Sequence, residues 1–347
     1  MIDLSRTCEA SPLLHAAPGA PEGIWSSEGV AIDAPPDNDI APEPDAVWRP
    51  EAVRSGLCGA VAPRVVALPD GGYRLYYTQL LPRTGFPDGA NDYDNSTARI
   101  LSAFSSDGAA WTPEPGVRLT PQQGGAGEFR VVSGDVVPCL ESGGRLRMYY
   151  ECCDGPQSRQ NSIRSAVSAD GLQWTVEPGT RFALSNRNLS SPRIAFLDDG
   201  RCRLYCGVHG AGIISAVSSD GQRFQQEPGW RITADNRYDH CAAFAPEIMR
   251  PAGGKYLMYY AGYGTPQRAD ILSADSADGL SWTRSPQPVL SPSNEWDAAK
   301  CSEMCVIWNP AAQHGEPFRM LYEACDGSTP ARRGVWRIIS AVCSRNN

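Results

Sequence analysis

The chain has 347 residues, 41% hydrophobic and 20% charged, a balance that excludes wholesale disorder and supplies a packed core. A formal charge of -8 and a pI near 5.1 exclude nucleic acid as the principal partner, because phosphate recognition needs a basic footprint. No apolar run reaches the roughly 18 residues of a membrane helix, and the first residues lack a basic start followed by an apolar stretch, so a cytoplasmic protein without a membrane partner is expected.

In chain order, the segment from Glu9 to Ala46 is rich in Pro and Ala and precedes any repeat. Residues 1–47 are therefore expected to be an extension that wraps the remaining domain, 48–347. Next comes Trp48-Arg49-Pro50-Glu51, an echo of the later Trp111-Thr112-Pro113-Glu114. The first repeat unit follows: Arg64-Val65-Val66-Ala67-Leu68, a turn at Asp70-Gly71-Gly72, then Tyr73-Arg74-Leu75-Tyr76-Tyr77. It continues through Ile100-Leu101-Ser102-Ala103 into Ser105-x-Asp107-Gly108-x-x-Trp111. Apolar runs joined by Asp-Gly or Gly-Gly read as hairpins, since these residues accept the positive φ of a tight turn.

The same grammar recurs downstream. Met148-Tyr149-Tyr150, Leu204-Tyr205, Met258-Tyr259-Tyr260 and Met320-Leu321-Tyr322 repeat the second strand. Ile163 to Ala166, Ile213 to Ala216, Ile271 to Ala274 and Ile338 to Ala341 repeat the third. Ser-x-Asp-Gly-x-x-aromatic returns at Ser168 to Trp174, Ser218 to Phe224 and Ser276 to Trp282. Units of four short antiparallel strands cannot bury their faces alone and must stack around an axis, so an all-β, five-bladed β-propeller is predicted. The fifth unit ends at Asn347 without an outer strand, so Trp48 to Arg54 are expected to pair with Arg337 to Val342 and close the ring.

Asp107, Asp170, Asp220 and Asp278 are read as turn residues that accept backbone N–H groups, because equivalent copies cannot all be one active site. Of the 12 cysteines, several sit in strand-like runs (Cys139, Cys202, Cys206) and read as buried, reduced thiols. Neither Cys152-Cys153 nor Cys301 with Cys305 has zinc-site spacing, and no metal or other cofactor is expected.

On these motifs, from about Trp48 onward, the chain resembles the five-bladed glycosidase superfamily that includes arabinanases, xylosidases and invertases. The turn motif also resembles the Asp-boxes of sialidases, which are similar to six-bladed propellers. The superfamily resemblance implies three carboxylates at the axial ends of the innermost strands: a base or nucleophile, a pKa-modulating aspartate and a general acid. Here Ala62 stands where a typical member has an Asp before Pro, and Ser191 where it has a Glu. Only Asp135 lies near an expected position.

In such a ring the first strands start at the pocket and the second strands end there. The starts are Ala62-Pro63-Arg64, Gly134-Asp135-Val136, Ser191-Pro192-Arg193, Ala245-Pro246-Glu247 and Ser302-Glu303-Met304. The ends include Glu151, His209, Tyr263 and Glu323. Side chains facing the axis at every second residue bring one charge per blade together. Asp135, Glu247, Glu303 and Glu151 are thus the catalytic candidates, and Arg64, Arg193, His209, Glu323 and Tyr263 the candidates for holding substrate. A glycosidase-like enzyme acting on a polar or anionic sugar by carboxylate acid/base catalysis is expected, with Arg64 and Arg193 gripping the substrate. A lyase, cyclase or isomerase in the same pocket, or a non-catalytic sugar-binding propeller with Trp25, Trp296 and Trp336 as stacking surfaces, are the alternatives. The oligomeric state is left open.

Overall fold

The computed structural model describes residues 20–21, 23–33, 59–69, 71–82, 96–127, 129–140, 144–155, 160–251, 254–309, 317–327 and 335–344. In chain order the strands are β1 (Ile24–Ile32), β2 (Gly59–Ala67), β3 (Tyr73–Pro82), β4 (Ser96–Ser105), β5 (Thr112–Pro113), β6 (Arg130–Pro138), β7 (Leu146–Cys153) and β8 (Ser162–Ser168). They continue as β9 (Thr175–Val176), β10 (Leu189–Phe196), β11 (Cys202–Val208), β12 (Gly212–Ser218), β13 (Gln225–Gln226), β14 (Ile232–Thr233), β15 (Ala242–Met249) and β16 (Tyr256–Thr265). The last are β17 (Arg268–Ser276), β18 (Thr283–Arg284), β19 (Lys300–Trp308), β20 (Phe318–Cys325) and β21 (Trp336–Ser344).

Five antiparallel blades result: β2-β3-β4-β5, β6-β7-β8-β9, β10-β11-β12-β13, β15-β16-β17-β18 and β19-β20-β21-β1. The innermost strands β2, β6, β10, β15 and β19 touch one another in that order, and β19 touches β2, so the ring is closed. Of these, β2, β6, β10 and β19 are buried along nearly their whole length, as strands with blades on both sides must be. Ten described cysteines are outside any disulfide, and all except Cys241 are buried.

Closure differs from expectation. Trp48 to Arg54 lie outside the described residues, and β1 takes the edge of β21, in register from Ile24 opposite Ser344 to Ile32 opposite Ile338. Ile24–Ile32 therefore belongs to the propeller, and the boundary expected at residue 47 falls earlier. The reason is chemical. Blades one to three present an aromatic-x-x-Glu segment whose Glu meets a Ser of the third strand and an Arg of the second. Glu114 meets Ser102 at 2.6 Å and Arg74 at 2.8 Å, and Glu177 meets Ser165 at 2.6 Å and Arg147 at 2.8 Å. Glu227 meets Ser215 and Arg203 likewise. Trp25-Ser26-Ser27-Glu28 supplies the same set, Glu28 accepting from Ser340 Oγ at 2.7 Å and pairing with Arg319. Trp25 also packs edge-on to Tyr259 with ring centroids 6.0 Å apart, as Trp174 does to Tyr76 at 5.7 Å and Trp282 to Tyr205 at 6.1 Å.

The turn motif is a structural clasp. In each copy the Asp Oδ1 accepts the backbone N–H groups two and three residues on, for Asp278 those of Leu280 and Ser281, both at 2.8 Å. The following glycine has φ near +70°, and the preceding blade's tyrosine donates to its carbonyl: Tyr76 to Gly171 at 2.8 Å, Tyr149 to Gly221 at 2.7 Å, Tyr205 to Gly279 at 2.8 Å. A Cβ on Gly279 would lie 2.7 Å from that hydroxyl, so glycine is needed for space as well as for φ. Hydrogen bonds to Ser281 and Leu280 hold the Asp278 carboxyl down at about 2, below its ordinary 3.8. Asp278→Ala should cost about 1–2 kcal/mol in urea unfolding at pH 7. A depressed carboxyl stabilises above its unfolded pKa and loses this as pH falls through the folded value, so the gap between wild type and variant should close towards pH 2.

Candidate active site

The strand register sorts the charges. Arg64 pairs across its hairpin with Tyr76, Asp135 with Tyr149, Arg193 with Tyr205 and Glu247 with Tyr259, so these four occupy one position of the repeat. In the fifth blade that position, opposite Leu321, is held by Cys305. The axis at this level is an ion cluster. Arg64 Nη1 donates to Glu247 Oε2 at 2.9 Å, and its Nε lies 2.5 Å from Asp135 Oδ1, an ion pair whose N–H is not aligned for a hydrogen bond. Arg193 Nε donates to Glu247 at 3.3 Å and Nη2 to Glu303 at 3.0 Å. The remaining carboxylate oxygens accept from the backbone, Asp135 from Ile194 N at 2.7 Å and Glu247 from Val306 N at 3.2 Å. Burial would lower the Arg64 pKa, but Asp135 and Glu247 reverse that and raise it, fixing the guanidinium as a cation. Burial, with Glu247 beside it, pushes the Cys305 thiol up to about 12, keeping it neutral.

Next to this cluster lies a cavity of about 320 Å³, within the range typical of small-molecule sites, walled by residues of all five blades. Three carboxyl groups face it: Glu151, Glu303 and Glu323. Their placement follows from a bulge in each innermost strand. At Ala62, Ser191 and Ala245 the backbone turns to φ of 52°, 49° and 53° before a proline, a left-handed conformation that non-glycine residues adopt at a cost. The turned N–H groups point at carboxylates from the neighbouring blade. Ala62 N donates to Glu323 Oε2 at 3.0 Å and Ser191 N to Glu151 Oε1 at 2.8 Å. Thr78 serves Ser133 N in the same way at 2.8 Å. Hence, beside the two positions where the family resemblance implies carboxylates and this chain has Ala62 and Ser191, a carboxylate arrives from the adjacent second strand.

Glu303 lies two residues before Cys305, one step from the ion cluster towards the cavity. Its Oε2 accepts from Ser191 Oγ at 2.9 Å, while Oε1 meets Arg193. Burial raises its pKa, against the opposing pull of Arg193. Glu323 accepts from Ala62 N, Ser302 Oγ and the Glu303 backbone, yet no cation among the described residues pairs with it. Burial, then the charge of Glu303, lift it to about 7. Two adjacent carboxyls, one held against a guanidinium and one without a cation among the described residues, thus sit in unequal surroundings.

The predicted residues thus divide. Glu151, Glu303, Glu323, His209 and Tyr263 line the cavity. Asp135, Glu247, Arg64 and Arg193 do not: they are at most 5% exposed and saturate one another, so they cannot act as acid, base or substrate grip without breaking the ion cluster. Glu323, expected to hold substrate, lies beside Glu303 on the cavity wall. Trp25 and Trp296 pack against the apolar core of the fourth and fifth blades, whereas Trp336 lines the cavity. Lys300, Asn161, Asn188 and Phe244 also line it and were missed. Lys300 had a signal: it opens the innermost strand that carries Glu303 three residues later.

No family model and no curated protein matches this chain. Solved structures do. A structure titled "Glycoside hydrolase" superimposes with a TM-score of 0.66 at 15% identity over 94% of this chain and 93% of its own. The catalytic domain of a GH62 α-L-arabinofuranosidase from Coprinopsis cinerea gives 0.63 at 15% identity over 94% and 98%. An N-acetylgalactosamine deacetylase from F. plautii, in complex with blood group B trisaccharide, gives 0.61 at 18% over 92% and 95%. At these identities the likeness establishes the fold, which is shared along almost the whole of each chain.

Proposed function

We propose that this chain cleaves the glycosidic bond of a small polar sugar derivative in the axial cavity. Glu323 is the general acid: its proton passes to the leaving oxygen as the bond to the anomeric carbon breaks. Glu303, held by Arg193 and Ser191, is the carboxylate that attacks that carbon or takes a proton from the attacking water. Glu151, fixed by Ser191 N, is the third carboxylate of the site. The observation that carries this reading is the adjacency of Glu303 and Glu323 with unequal surroundings in one cavity. That titled glycoside hydrolases share the fold supports it.

The test is a panel of aryl glycosides assayed from pH 4 to 9. A raised carboxyl is protonated below its pKa, so kcat/KM should fall as pH rises through about 7, where Glu323 ionises. A substrate turned over with no alkaline limb would refute the assignment of Glu323. Ala62 and Ser191, and a deacetylase among the proteins of this fold, favour a second reading, another reaction on a sugar. Sugars bound but no glycoside cleaved would decide for it.

A further inference from the structure

Lys300 stands at the wall of the cavity, 8% exposed. Its Nζ lies 5.3 Å from the ring centroid of Tyr263 and 5.3 Å from that of Trp336. No carboxylate among the described residues comes within ion-pair distance of it, although Glu151, Glu303 and Glu323 line the same cavity. Aromatic faces attract an ammonium but do not replace the hydration lost on burial. A cation without a counter-ion, on one wall of a cavity whose other charges are carboxyls, defines where a negative group would be accepted.

Resting on the reading that the cavity takes a sugar, we infer that this sugar carries an anionic substituent, a carboxylate, sulfate or phosphate, that binds at Lys300. The neutral face of the ring lies against Phe244 and Tyr263, whose rings are 5.6 Å apart. This replaces the grip expected from Arg64 and Arg193, which the ion cluster consumes.

Calorimetric titration with glucuronate, galacturonate, glucose 6-sulfate and glucose 6-phosphate, each beside neutral glucose or galactose, tests it and separates the three sources of charge. At least one anionic sugar should bind at least about tenfold more tightly than its neutral parent. Lys300→Met should bring that ratio to about one, and Lys300→Arg should keep most of it, with unchanged circular dichroism as the control for folding. Should the Met variant not fold, the wild-type ratio must still shrink between 50 and 500 mM salt, as a charge contact requires. Equal binding of charged and neutral sugars, a ratio that survives Lys300→Met, or a ratio indifferent to salt overturns the inference. The readout is binding alone, so a preference that depends on Lys300 with no glycoside cleaved refutes the hydrolase reading only. Efficient cleavage of a neutral glycoside without preference for a charged one refutes only the role of Lys300.

Discussion

Glu323→Gln should leave the propeller folded and lower turnover of a cleaved glycoside by at least about a hundredfold. The amide keeps the shape and can still accept from Ala62 N, but it has no proton to give the leaving oxygen. Loss should therefore depend on the leaving group: a 2,4-dinitrophenyl glycoside, which departs without protonation, should recover most of the rate, while a methyl glycoside should not. The same substitution has a thermodynamic signature. Glu323 has a folded-state pKa raised from 4.5 to about 7, so its contribution to stability is fully present below the unfolded value and is lost as pH rises through 7. Wild type should lose melting temperature between pH 5 and 8, and the Gln variant should lose less. A variant as active as wild type on every leaving group would remove Glu323 from the mechanism.

Arg193→Met should destabilise the protein by about 3–5 kcal/mol, the cost of leaving buried carboxylates without their cation. The guanidinium meets Glu247 and Glu303 and also donates to the carbonyls of Gly134, Pro192 and Met304, so a methionine of similar length deprives two charges and three carbonyls at once. Urea unfolding measures this directly. If Arg193 instead gripped substrate, as the sequence alone suggested, the midpoint would scarcely move and KM would rise. The exposed pair Arg201–Asp199 offers the contrast: Arg201→Ala should leave the midpoint where it is, since both partners are solvated in either state.

The five-fold repeat was readable because fold information is periodic: every blade needs a turn glycine, a buried tyrosine and a small third strand, and each need recurs in the sequence. The site breaks that periodicity, which is why it was read only in part. Alignment of first-strand starts placed Glu303 with Arg64 and Glu247, whereas the strand pairing gives that level to Cys305 and moves Glu303 towards the cavity. A shift of two residues separates an ion-cluster member from a pocket wall, and no composition signal reports it. Glu151 and Glu323 were legible, since each directly follows a tyrosine of the second strand, as Thr78 does. The closing strand was misassigned because Trp25-x-x-Glu28 and Trp48-x-x-Glu51 carry the same spacing, and only Ser340 and Arg319, distant in sequence, select the first.

The pairing of β1 with β21 makes the order of synthesis matter. On the ribosome the first four blades can each complete from contiguous chain, but Trp25 and Glu28 emerge early and must wait for Ser344 to be made before they find Cys343 and Ser340. Joining Ile24 to Ser344 closes a loop spanning nearly the whole chain, an entropic cost of about 5 kcal/mol that is met only when every intervening blade is already in place. A chain in which β1 has not yet docked should thus carry an unfinished fifth blade and an open edge on β21.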